Sequence, residues 1–282
     1  MLRKVYLEIT NVCNLRCSFC PGTTRPPRFL SPDAFRTLAA RLVGHTEYLY
    51  LHVMGEPLCH PDLAEILDIA AGLGFHICLT TNGVLLPEVS DTLLSRAGSI
   101  YKISVSLHSH EANGGADPTA YLRDCVSFQK AAGAAGIIAV LRLWNGDGAS
   151  PGQNTQNDRI LALLHEAFPA PWKEVRGGPR MAKGCYLEYG ERFTWPIEQA
   201  ADAVTGRFCM ALRDQAAVLC DGTVVPCCLD SEGKIALGNL FDTPLDEILS
   251  APRARAIYEG FSRRCAVEPL CQTCGYATRF SC

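Results

Sequence analysis

No run of apolar residues in this sequence is long enough to cross a bilayer, so no helical membrane span is expected. An excess of either charge is lacking too. The formal net charge is -3 over 282 residues, which gives no reason to expect nucleic acid or an anionic membrane as a partner. No repeat recurs at solenoid spacing. The first residues, Met1-Leu2-Arg3-Lys4, run straight into a strand-like segment, without the apolar core and cleavage site of a secretory signal. A cytoplasmic location is the expectation. What is abundant is cysteine, fifteen in all. A secreted disulfide framework is one explanation, but such proteins are usually short and carry a signal. Thiolates held by metal are the better explanation.

The length suits one α/β domain of barrel size plus a small appendage. Residues 1–144 alternate strand-like and helix-like segments. Strands are expected over 4–10, 48–53, 75–80, 100–107 and 137–144. Ser31-Pro32-Asp33 reads as a helix start: a capping hydroxyl, a proline for the first turn and an acid facing the dipole. Further helices are expected after Pro61, over 85–97 and over 121–132. Strict alternation implies right-handed crossovers and a parallel sheet, whose ligands gather at the C-terminal ends of its strands. Asn145–Gln156 reads as a loop, 158–168 as a helix, and 173–175 or 186–187 as a sixth strand. Beyond about residue 200 the pattern changes to a hairpin over 217–225, turning at Asp221-Gly222, two short helices over 244–249 and 252–261, and a cysteine-rich end.

In the loop after the first strand, three residues separate Cys13 from Cys17 and two separate Cys17 from Cys20. A structural zinc site wants four protein ligands, and here the local count is three. A cubane cluster has four irons to ligate, so three thiolates leave one iron open. Cys-x3-Cys-x2-Cys in this place, with the aromatic Phe19 before the last cysteine, resembles the radical S-adenosylmethionine (SAM) enzymes. The resemblance implies a [4Fe–4S] cluster on Cys13, Cys17 and Cys20 whose open iron is chelated by SAM. Reductive cleavage of SAM then yields a 5′-deoxyadenosyl radical that removes a hydrogen atom from substrate. Phe19 is expected near the adenine.

Met54-Gly55-Glu56-Pro57 looks like the family's Gly-Gly-Glu-Pro motif, with Met54 in place of the first glycine; the resemblance implies that Gly55, Glu56 and Pro57 meet the SAM ammonium. Thr80 and Asn82 after the third strand, Ser106 and His108 after the fourth and Arg142 on the fifth match positions that contact SAM or substrate. Each has an ordinary alternative: Asn82-Gly83 a turn, Glu56 a loop carboxylate, His108 a satisfied histidine, Arg142 an ion-pair partner. Recurrence at one end of consecutive strands favours the joint reading.

Cys209 is followed after twelve residues by Gly222, then by Cys227 and later by Cys271-Gln272-Thr273-Cys274. This resembles the SPASM/twitch extensions of radical SAM enzymes, which implies that Cys209, Cys227, Cys271 and Cys274 hold one auxiliary [4Fe–4S] cluster. A full SPASM domain holds a second auxiliary cluster, and only Cys282 follows Cys274, at the wrong spacing. A structural zinc on the same four thiols is the other reading, and a pair such as Cys228 with Cys265 is a possible alternative ligand source. Residues 146–206 match no motif: Cys185 and Phe193-Thr194-Trp195-Pro196 are core residues or a substrate wall.

The expected fold is a partial (β/α)6 barrel over residues 1–200 with a small cluster-binding α+β domain over 201–282. The expected function is hydrogen abstraction ending in net oxidation of a small polar metabolite; the family member that dehydrogenates an aminocyclitol is the nearest comparison. An electron donor such as flavodoxin or ferredoxin is implied. Crosslinking or epimerisation of a ribosomally made peptide is the alternative, with Cys185 as a conceivable hydrogen donor, although no N-terminal leader-binding domain precedes the barrel. A non-enzymatic iron–sulfur or zinc module is the reading from another class.

Overall fold

Ser31 starts the first helix as its sequence predicts. Its hydroxyl accepts the Ala34 N–H at 3.3 Å, Pro32 fills the first turn, and Phe35, Leu38 and Ala39 turn inward. The computed structural model describes residues 1–144, 155–196 and 203–280. Most of the loop expected over Asn145–Gln156, the expected domain boundary after residue 200, and Cys282 lie outside the described residues.

Eleven strands are described: β1 Lys4–Leu7, β2 Tyr48–Tyr50, β3 His76–Thr81, β4 Ile100–Ser106, β5 Ile138–Trp144, β6 Lys173–Val175, β7 Gly178–Ala182, β8 Cys185–Gly190, β9 Gln215–Val218, β10 Thr223–Val225 and β11 Gly238–Asn239. The helices are α1 Pro32–Ala40, α2 Leu63–Gly72, α3 Leu86–Leu94, α4 His108–Glu111, α5 Thr119–Ala134, α6 Asn157–Ala167, α7 Leu245–Ser250, α8 Pro252–Ser262 and α9 Pro269–Gln272. Among the described residues no helix is long and apolar enough to cross a membrane.

The strands form one sheet in the order β11-β10-β9-β1-β2-β3-β4-β5-β8-β7-β6. β1 to β5 and β8 run parallel, giving the expected partial barrel with α1, α2, α3 and α5 as crossovers. Two features depart from the sequence reading. Both candidates for a sixth strand are real, but only β8 joins the parallel set; β6 and β7 fold back antiparallel as its outer edge. The C-terminal hairpin is also joined directly to the barrel sheet. β9 pairs parallel with β1 over four residues, Lys4 with Gln215 to Leu7 with Val218, so the barrel sheet continues into the cysteine-rich part.

Alternation along the strands sorts the side chains into two layers. Val5, Leu7, Ile77, Leu79, Ile103, Val105, Leu141 and Leu187 point to the helices and belong to the buried core. Their neighbours in sequence, among them Lys4, Tyr6, Cys78, Lys102, Ser104, Arg142 and Glu188, line a cavity inside the barrel. A barrel filled only by branched apolar side chains would leave no such space.

Candidate active site

At the C-terminal ends of the strands lies a cavity of about 730 Å³. Cys13, Cys17 and Cys20 line it together with Gly55, Glu56, Thr80, Asn82 and Ser106, so most of the residues expected around the cofactor share one space. The donor chemistry suits thiolates. The Leu15 N–H donates to Cys13 Sγ at 3.5 Å, the Gly22 N–H to Cys20 Sγ at 3.4 Å, and the Asn113 amide to Cys17 Sγ at 3.2 Å. Burial pushes the Cys13 thiol up to about 11 and raises Cys20 as well. Metal binding at these thiols therefore releases protons. These three residues would hold the SAM-binding cluster, which supplies reductive SAM cleavage when bound.

Gly55 has φ +76°, and a Cβ there would stand 2.6 Å from the Thr10 carbonyl oxygen and 2.8 Å from that of Val12. Only glycine fits. Met54 needs no such freedom: its N–H donates to Glu8 Oε1 at 3.0 Å and its side chain is buried. Glu56 is 2% exposed. Its carboxylate accepts the Leu58 N–H at 3.1 Å and the Asn82 N–H at 2.7 Å, bracing the loop after β2 against the end of β3. Burial pushes its carboxyl up to about 7, the hydrogen bonds opposing. Pro57 starts a short 3₁₀ turn behind this wall. Asn82 donates to Asn14 Oδ1 at 2.7 Å and, in its turn, accepts the Val84 N–H at 3.0 Å. It is thus both the expected turn residue and part of the cavity wall.

Phe19 packs 4.6 Å from Trp144 and 5.0 Å from His108, measured between ring centroids, and His108 stacks on Trp144 at 4.0 Å. Burial first, then Arg142, holds His108 down at about 3, so the ring is neutral. His108 stands behind the aromatic wall, and Ser109 beside it lines the cavity instead. Trp195 lines the same cavity and donates its indole N–H to the Phe19 carbonyl at 3.1 Å. Phe193 and Trp195 are half-buried wall residues, not core. Cys185 is the reverse. It faces α5, its thiol 3.3 Å from the Gln129 carbonyl, which leaves it no path to a substrate as hydrogen donor.

Arg142 is separated from the other expected contacts. It lines the second cavity, of about 340 Å³ inside the barrel, and meets Glu188 at 3.3 Å. His52 and Thr80 line both cavities, which makes them neighbouring chambers.

Among the second set of cysteines, burial raises the thiols of Cys209, Cys227, Cys271 and Cys274. Cys227 is raised further by Cys228, Cys209 and Cys271, and Cys271 by Cys209 and Cys274. The four are thus electrostatic neighbours. Among the described residues no three His, Cys, Asp or Glu side chains converge to single-ion spacing. Cys228 joins the neighbourhood and packs against the cluster of Tyr6, whereas Cys265 is exposed beyond α8.

Sequence reasoning missed Glu8, fully buried at the end of β1. It accepts Arg25 Nη1 at 2.8 Å and Nη2 at 2.6 Å, the Met54 N–H, and the Cys220 N–H at 3.1 Å. Arg25 adds a bond from Nε to the Ser231 carbonyl at 2.7 Å. One carboxylate therefore ties together the cysteine loop, the loop after β2 and the C-terminal hairpin. Asn113, which binds Cys17 and accepts the Arg16 N–H at 2.9 Å, also carried no motif.

Known proteins match in the same two regions. Residues 7–125 match the radical SAM superfamily and residues 209–275 an iron–sulfur cluster-binding domain, SPASM. The GTP 3′,8-cyclase of Chlorobaculum tepidum is 38% identical over 94 residues, 32% of this chain and 28% of that protein. The chain spans about a third of the length of the curated relatives it matches. Among solved structures, BtrN in complex with AdoMet and 2-DOIA superposes with a TM-score of 0.57 at 16% identity, covering 97% of this chain and 93% of that one. SuiB of Streptococcus suis bound to precursor peptide SuiA gives 0.59 at 14%, covering 98% and 70%. Both share the barrel fold. The SPASM match favours iron–sulfur over the zinc reading. The chain thus carries a radical SAM domain over residues 7–125 and a SPASM iron–sulfur domain over residues 209–275, two domains that imply SAM and [4Fe–4S] clusters as cofactors.

Proposed function

We propose that the enzyme is an oxidoreductase that removes a hydrogen atom from a small polar metabolite in the barrel cavity and ends in net dehydrogenation. In this reading residues 1–200 form the radical SAM unit and residues 201–282 hold one auxiliary cluster on Cys209, Cys227, Cys271 and Cys274. The supporting observation is that the 340 Å³ cavity inside the barrel shares wall residues with the cofactor cavity and also with the surroundings of the C-terminal cysteines. It shares His52 and Thr80 with the cofactor cavity. Its wall also includes Tyr276, two residues after Cys274, and Tyr6, against whose cluster Cys228 packs.

The electron balance fits that position. A SAM-binding cluster on Cys13, Cys17 and Cys20 would supply hydrogen-atom abstraction, using one electron from a donor such as flavodoxin or ferredoxin. A substrate that lost a hydrogen atom to it would still have an electron and a proton to give up for net dehydrogenation. An auxiliary cluster on Cys209, Cys227, Cys271 and Cys274 would be the acceptor of that electron. The fourteen described cysteines are all free thiols, which suits a reducing compartment such as the cytoplasm. A peptide substrate is the second reading, favoured by the likeness to SuiB with its bound precursor peptide; the cavity's volume, at the small end for ligand sites, argues against it.

The test is to incubate reconstituted, reduced enzyme and SAM with a fractionated small-metabolite extract. The expected result is one compound that loses two hydrogen atoms in mass as 5′-deoxyadenosine accumulates. Turnover only with peptides, or a product of unchanged oxidation state, overturns the reading.

A further inference from the structure

The barrel cavity carries more positive than negative charge where it is most enclosed. Lys102 on β4 and Arg142, four residues further along on β5, reach a single carboxylate from two levels of the barrel, Glu188 on β8, at 3.4 and 3.3 Å. Both contacts are long for charge-assisted bonds, and one carboxylate cannot neutralise two cations. Lys4 stands across the cavity with its ammonium 5.1 Å from the Tyr6 ring centroid and 5.3 Å from that of Tyr50. Among the described residues no carboxylate lies within ion-pair distance of it. Burial lowers Lys4 from its usual value, which shows how little water screens the group. At the rim, exposed Glu191 and Arg279 add one charge of each sign. Among the described residues the wall therefore carries four cationic side chains against two carboxylates.

A second observation points the same way. His52 is half-buried on the wall shared by the two cavities, held neutral at about 3 by burial and then by Arg142 and Lys4, and its enclosed Nδ1 has no hydrogen-bond partner among the described residues. With Nδ1 enclosed and unpartnered, the ring's capacity to donate falls to the other nitrogen, Nε2. From there a neutral imidazole on the cavity wall can give one hydrogen bond to a ligand oxygen without adding charge.

We propose that this cavity recognises its substrate through a compact oxyanion, a carboxylate in the first instance, received by Lys102 and Arg142 with Lys4 opposite, while His52 bonds a neutral oxygen of the same molecule on the side facing the cofactor. The inference rests on the reading that a small metabolite occupies the barrel. It narrows the substrate to an acid and excludes an aminocyclitol, whose ammonium would meet three cations.

The test is calorimetric titration of anaerobically reconstituted, oxidised holoenzyme saturated with SAM, so that no turnover occurs. The probes are succinate, glutarate and citrate, with inorganic phosphate, myo-inositol and 1,4-diaminobutane as the contrasting arms. At least one carboxylate binds; Lys102→Met and Arg142→Met each weaken it about tenfold or more, as expected for loss of a bond to a charged group. Glu188→Gln frees both cations and tightens binding, an effect that a merely structural role would not produce and that a folding defect cannot mimic. Binding of phosphate alone assigns the oxyanion to a phosphorylated metabolite. Binding of neither carboxylate nor phosphate, or binding that ignores Lys102 and Arg142, overturns the proposal, as does a loss of SAM affinity without loss of probe affinity. If myo-inositol alone binds, the small-metabolite reading survives and the acid falls. If a carboxylate binds as described yet no compound in the extract loses two hydrogens, the acid stands and the oxidation falls.

Discussion

Glu8→Gln removes one charge and no volume, and its consequence follows from the contacts of that carboxylate. Four donors converge on it, two of them from a guanidinium whose side chain is only 14% exposed. The substituted amide would keep one acceptor and turn its NH₂ towards donors. Arg25 would be left charged without its partner. Breaking a buried pair by removing one member costs roughly 3–5 kcal/mol. In a chain of this size that corresponds to a fall in Tm of about 10 °C. The damage should be local as well as global, because the three segments joined at Glu8 carry Cys13, Cys17 and Cys20 on one side and Cys220 and Cys227 on the other. Iron content after anaerobic reconstitution should fall, and SAM affinity with it. The assay is differential scanning fluorimetry and iron analysis on Glu8→Gln, Arg25→Met and the Glu8→Met/Arg25→Met pair. The double variant should be no worse than the worse single one, since it leaves no orphan charge. A Glu8→Gln protein with the melting point and iron content of wild type would refute the reasoning.

Further outcomes follow from the cofactor cavity. Gly55→Ala should lose SAM binding in a titration, because its methyl group would meet backbone that cannot withdraw. Reconstituted protein should hold about eight irons, and the Cys13/Cys17/Cys20→Ala variant about four; stoichiometric zinc without iron in protein purified anaerobically would sink both cluster assignments. Glu56 gives a pH signature. Its folded carboxyl, at about 7, sits above the ordinary 4.5, so between those values the folded state binds the extra proton. Stability is therefore full below 4.5 and falls as pH rises through about 7, while affinity for the SAM ammonium rises over the same range. His52 and His108, both held at about 3, push the stability slope the other way. The quantity to measure is thus the difference between wild type and Glu56→Gln in denaturant titrations across that window.

Much of the architecture was legible because it is local. A capping serine, an apolar helical face and a short apolar strand recur in the order that a parallel sheet requires, and α1 begins where Ser31 says it should. The cysteine triplet was legible because spacing alone restricts what can bind it. What stayed hidden depends on distant pairing. β9 joins β1 across more than two hundred residues, and nothing in Gln215–Val218 marks it as a barrel strand. Glu8 sits in an ordinary alternation, Leu7-Glu8-Ile9, which a solvated strand residue would share; its burial appears only once Arg25 and Cys220 fold over it. Arg142 matched a cofactor position, yet its side chain lines the deeper chamber, where Glu188 of the adjacent strand meets it. His108 matched another, and stacking on Trp144 draws it off the cavity wall.

If the C-terminal cysteines carry away the second electron of an oxidation, their loss should uncouple SAM cleavage from product formation. The measurement is the ratio of 5′-deoxyadenosine to oxidised product in a Cys271→Ala/Cys274→Ala variant shown by circular dichroism to be folded, with the substrate found in the extract. SAM cleavage should continue while oxidised product disappears, so the ratio rises steeply. An unchanged ratio would mean that the auxiliary cluster only staples the fold, and that the electron leaves by another route.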